Sequence, residues 1–115
     1  MNQTGALLLT LAIEVPFAVA LVAWRRWAPG RLVAVAITAV AASLVTHPML
    51  WIVDPLLRST IDMGPRWALL ETGIALVEAG VYVLGAGLSA RRALVLSFLA
   101  NAVSFGVGLA IHAFW

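Results

Sequence analysis

Four stretches of the chain are almost wholly apolar: 5–24, 32–53, 67–87 and 93–114. Each is about 20 residues long, the length a helix needs to cross ~30 Å of bilayer hydrocarbon. What separates them is short and rich in helix breakers. Arg25-Arg26-Trp27-Ala28-Pro29-Gly30-Arg31 divides the first two, Asp54-Pro55 through Gly64-Pro65-Arg66 the second and third, and Ser89-Ala90-Arg91-Arg92 the last two. A chain of 115 residues with 63% hydrophobic and 10% charged residues has no core large enough to hide that surface, since soluble domains run about 45–50% apolar and about 25% charged. A soluble monomer, a disordered chain and a nucleic-acid-binding domain are excluded. The pI near 10.5 comes from arginines at segment ends, not from one basic patch.

The pattern predicts an all-α polytopic membrane protein, an antiparallel bundle of four transmembrane helices forming a single domain over 1–115. Short connections make successive helices antiparallel neighbours. The N-terminus, Met1-Asn2-Gln3-Thr4, has no positive region, so the first stretch reads as a retained helix and not as a cleaved signal. Cysteine is absent, which removes thiolate metal sites and disulfides.

Arginine counts predict the orientation. The first and third loops carry Arg25, Arg26, Arg31, Arg91 and Arg92; the middle loop carries Arg58 and Arg66, balanced by Asp54 and Asp62. By the positive-inside rule the arginine-rich loops are cytoplasmic and both termini lie outside, in the inner membrane of a prokaryote. Trp24 and Trp27 then fall at the inner interface, and Trp51, Trp67 and Trp115 at the outer one, as an aromatic belt requires.

Polar residues within the spans are the candidates for function. Glu14 sits mid-span beside Pro16, which cannot bond the carbonyl of Ala12. An acid at that depth costs about 2.5–3.5 kcal/mol if charged, so it is protonated, paired or facing a wet cavity. On the third span Glu71, Glu78 and Tyr82 fall on one face, and Gly73, Gly80 and Gly87 recur along an adjoining stripe. Glycine at that period predicts close helix packing. Ser43 and His47 share a face of the second span, ahead of Pro48; Asn101, Ser104, Gly108 and His112 share one on the fourth. These stripes are expected to converge inside the bundle. Depth sorts them into a midplane proton or ligand site (Glu14, Glu78, Asn101, Ser104 and Tyr82) and an outer-side polar or metal site (His47, Glu71 and His112).

Each candidate has a structural alternative. A neutral Glu can serve only as hydrogen-bonded glue between helices, and His112 lies close enough to the end of the span to be interfacial. His and Glu suit Zn²⁺, Mn²⁺ or Fe²⁺, yet no HExxH pair is present; no GxSxG supports a serine nucleophile, and an intramembrane hydrolase built on Glu and His is the one enzymatic alternative.

The sequence around Ala12-Ile13-Glu14-Val15 resembles the first-helix acidic motif of the small multidrug resistance transporters, over a few residues only. That family's later aromatic and glycine signature is missing. Across all four spans the chain looks more like a group of small prokaryotic four-helix membrane proteins with no assigned activity. The shared features are Glu14-x-Pro16, Thr46-His47-Pro48 with Trp51, Glu71 with Glu78 and Tyr82, and Asn101 with Ser104-Phe105. The expected function is a transporter or channel for protons, cations or a small solute, working through the intramembrane glutamates as a homo-oligomer. The alternatives are an accessory subunit of a larger membrane complex and an outward-facing metal or cofactor binder. The lipid bilayer is the one partner common to all three.

Overall fold

The computed structural model describes residues 3–114, with side chains described over 4–111. It is all-helical: α1 spans Gln3–Arg25, α2 Leu32–Leu57, α3 Met63–Ala86 and α4 Ala90–Phe114. All four are long and apolar enough to cross a membrane. The longest dimension of the molecule, 45 Å, matches a bilayer including its headgroups, about 40–45 Å.

The helices begin and end close to the expected breaks, except on both sides of the middle loop: α3 already starts at Met63, with Gly64-Pro65-Arg66 in its first turn. Asp54-Pro55 does not end α2, which runs through both Pro48 and Pro55 to Leu57. A proline costs a helix the bond to the carbonyl four residues back but leaves the turns ahead of it intact, so the loop shrinks. Arg66, in the first turn of α3, then reaches back to α2 and donates from Nε to Asp54 Oδ1 at 2.7 Å. Asp54 Oδ2 accepts from Arg58 at 3.1 Å and 3.2 Å.

Each helix packs on its chain neighbours and α4 closes on α1, whereas the diagonal pairs α1–α3 and α2–α4 make no comparable contact among the described residues. The section is therefore a square, and a square of helices leaves a space along its axis. Toward the arginine-rich end that space is filled. Ala18 and Val22, Val35 and Ala39, Ala79, Tyr82 and Ala86, and Ala93 and Leu96 pack there, with Ala28 and Leu88 from the adjoining loops. Alanine lets helix backbones approach closely, which is how packing holds helices together where lipid removes the hydrophobic drive. Toward the α2–α3 loop the axis is open. The bundle thus has a plugged half and a hollow half, and Glu14, Ser43, Glu78, Ser97 and Asn101 lie buried where the two meet.

Within the single chain, the close approach of α2 and α3 falls at a glycine outside the expected stripe. Gly73 and Gly80 are exposed, and a Cβ on either would meet nothing within 4 Å. Among the described glycines the tight crossing is at Gly85, where a Cβ would stand 2.7 Å from Thr38 Oγ1 on α2. Gly87 does not pack a helix face; it caps α3 at φ 68°, and its N–H bonds Tyr82 O. That left-handed conformation is the one glycine adopts without a steric penalty.

Candidate functional site

The hollow half is a cavity of about 470 Å³ lined by all four helices, within the ~300–1,000 Å³ usual for small-molecule sites. Glu14, Ser104 and Asn101 lie along it with Glu78, Glu71 and His47. Trp51, Trp67 and Phe105 supply aromatic wall; Trp67 and Phe105 meet edge to face with centroids 5.7 Å apart. Asp54 and the exposed Arg58 mark its end near the α2–α3 loop.

At the floor, two buried carboxyls are held by different helices. Glu14 is 4% exposed and Glu78 3%. Glu14 Oε2 accepts from Ser43 Oγ at 3.1 Å. Glu78 Oε1 accepts from Asn101 Nδ2 at 2.6 Å, and Glu78 Oε2 lies 3.4 Å from Thr46 Oγ1. The same Asn101 nitrogen donates to Ser97 O at 2.8 Å, and Ser97 Oγ donates across to Ala75 O at 2.5 Å. Ser43 and Thr46 lie one turn apart on α2, the helix that touches both α1 and α3. One face of one helix therefore serves both acids. No buried polar side-chain atom among the described residues lacks a partner, as a low-dielectric interior demands.

Of the residues expected at the midplane, Glu14, Glu78, Asn101 and Ser104 all line the cavity. Tyr82 is buried but packs in the plug below it. Of the outer group, His47 and Glu71 line the wall. His47 Nε2 accepts from Trp51 Nε1 at 3.0 Å, which fixes that nitrogen as unprotonated in this arrangement. The side chain of His112 lies outside the described residues. No group of three or more His, Asp or Glu residues is arranged to hold a metal among the described residues.

Three participants were not anticipated: Thr46 as a partner of Glu78, Ser97 as the anchor of Asn101, and Asp54 as the clasp to Arg66. Thr46 and Ser97 are single hydroxyls in apolar helices, and spacing along one helix carries no information about a partner on another. No protein-family model matches the chain, and no curated protein or solved structure matches it.

Proposed function

We propose that the protein is a small membrane transporter for protons coupled to a cation or small solute, with Glu14 and Glu78 as the groups that exchange the proton. The observation that carries the proposal is the cavity itself: four helices surround it, three glutamates line it, and two of them stand at its floor. The cavity is blocked on its far side by the alanine plug with Tyr82 and Leu96. A solute reaching the glutamates must leave the way it came or wait for the plug to part. That favours a carrier with two alternating states over an open channel. A carboxyl at this depth exchanges charge for neutrality when its proton leaves, and an incoming cation offsets that charge. The arginine bias puts the five-arginine end in the cytoplasm and both termini outside, so the cavity faces outward from the inner membrane.

Purified protein in vesicles loaded with a pH-sensitive dye tests this. Proton movement driven by a pH gradient or by an added cation, and lost in Glu14→Gln and Glu78→Gln, is the expected result. Flux equal to that of empty vesicles across a panel of inorganic and organic cations and small neutral solutes would defeat it.

A second reading has one observation behind it. Gly73 and Gly80 leave a smooth exposed strip on α3, suited to a helix of another copy or of a larger complex that this chain would serve as an accessory subunit. Native mass spectrometry of gently extracted protein separates these cases, since a co-purifying different chain supports the accessory role.

A further inference from the structure

The two oxygens of Glu78 are not equivalent. Oε1 faces Asn101 Nδ2 at 2.6 Å, and that nitrogen is also 2.8 Å from Ser97 O. A backbone carbonyl only accepts, so the amide must turn its NH₂ toward Ser97, and the second N–H of the same group then points at Oε1. Both amide hydrogens are spoken for, and a proton on Oε1 would collide with one of them. Oε2 faces a different kind of partner. Thr46 Oγ1 lies 3.0 Å from Ala42 O and 3.4 Å from Oε2. Its single hydrogen can serve either acceptor, and its lone pairs can receive whatever it is not donating to.

We infer that Glu78 takes and releases its proton through Oε2 alone, with Thr46 as the partner that turns its hydroxyl to match and Asn101 as the positioning residue that keeps Oε1 an acceptor. In the protonated state Oε2–H donates to Thr46 Oγ1 while Thr46 donates to Ala42 O. When the proton leaves, the Thr46 hydroxyl swings to donate to Oε2 and gives up Ala42 O, so no atom of the site is left without a partner in either state. The change is one rotation about one side-chain bond, and no helix has to move. Ser97, tied to Ala75 O on α3, fixes the α4 backbone that aims Asn101. Among the described residues, the other titratable groups facing this site are Glu14 across the cavity, Glu71 and Tyr82 on α3 itself, and His47 on α2; α4 contributes Asn101 and Ser104, both uncharged. The inference rests on the proposal that Glu78 exchanges protons, but its test does not need transport.

Infrared spectra of the protein in lipid, titrated with acid and base, read the assignment directly. The band of protonated Glu78 is the carboxyl C=O band missing from Glu78→Gln. A C=O that accepts a strong hydrogen bond absorbs at lower frequency, and here the C=O is Oε1. Asn101→Ala is therefore expected to move the Glu78 band upward by clearly more than Thr46→Val, which removes only the acceptor of the O–H. Equal shifts, or an upward shift in Thr46→Val with none in Asn101→Ala, would overturn the assignment. So would the absence of any band lost in Glu78→Gln. If Asn101→Ala does not fold, Thr46→Val decides alone: a carbonyl at Oε1 keeps its Asn101 donor and its low frequency, whereas a carbonyl at Oε2 would lose its donor and move to the frequency of a C=O that accepts no hydrogen bond. An assignment that holds in a protein moving nothing across vesicles would stand while the transport proposal falls.

Discussion

Thr38 and Gly85 set the distance between α2 and α3: a Cβ at position 85 would stand 2.7 Å from Thr38 Oγ1 and 2.9 Å from its Cγ2. Thr38 cannot turn away easily, since its hydroxyl donates to Ala34 O at 2.6 Å and either branch of the side chain meets the added carbon. Gly85→Ala gains up to about 1 kcal/mol of helix propensity against an overpacking cost of about 1–3 kcal/mol. The net is destabilisation, expected as a lower thermal midpoint in detergent, and Thr38→Ala in the same chain should restore most of it. Gly80→Ala should leave the stability of the single bundle unchanged, because within it the space around Gly80 is open. A protein unmoved by Gly85→Ala would show that the two helices can slide apart at no cost.

The clasp between Asp54 and Arg66 invites a comparison of two arginines on one carboxylate. Arg66 and Asp54 have side chains only 11% and 17% exposed and meet at 2.7 Å, whereas Arg58 is 64% exposed. Arg66→Gln should cost about 1.5–3 kcal/mol, the range for a hydrogen bond to a charged group. Arg58→Gln removes an exposed pair one helical turn apart, worth about 0.3–0.5 kcal/mol. Unfolding in mixed micelles at low and high salt checks both, with added salt expected to erase the Arg58 effect first. Equal losses for the two arginines would mean that the clasp is solvated.

Glu14, Glu78, Asn101 and Ser104 could be brought together from sequence because polarity in the middle of an apolar helix is expensive and has few destinations. The four helices follow from hydropathy for the same reason. What sequence cannot supply is the partner of each group. Ser97 looks like any small residue in a transmembrane helix, and its bond to Ala75 O depends on the register between α3 and α4. Gly73, Gly80 and Gly87 have the more regular period, yet the crossing falls at Gly85, since period alone does not say which side of α3 faces α2. Tyr82 shares a helical face with Glu78 but sits one turn deeper, where the axis is already filled.

Orientation can be checked at two exposed loop positions. Ala28 is buried, so a cysteine there would report packing instead of sidedness; Pro29 and Ser59 are both exposed. On intact cells a membrane-impermeant thiol reagent should label Ser59→Cys and spare Pro29→Cys until the membrane is opened. The wild-type chain, without cysteine, gives no background. The reverse pattern would place the cavity on the cytoplasmic side and reverse the direction from which a solute enters.

Asn101 and Glu78 should depend on each other for stability more than either depends on the rest of the bundle. Removing only Asn101 leaves Oε1 without its donor, and removing only Glu78 leaves one amide N–H facing the leucine that replaces it; a buried group stripped of its partner costs about 1–3 kcal/mol. Removing both at once leaves neither orphan. Interhelical hydrogen bonds in membranes average only about 0.6 kcal/mol and reach about 1.7, because the separated helices find other partners. This one is short, at 2.6 Å, and joins two residues 3% and 8% exposed, so it belongs at the upper end. Unfolding of Asn101→Leu, Glu78→Leu and the double variant in mixed micelles measures the coupling. The double variant should be less destabilised than the sum of the single ones by more than about 1 kcal/mol. Strict additivity would mean that the carboxyl finds water or another donor from the cavity when Asn101 is gone, and the asymmetry between Oε1 and Oε2 would lose its basis.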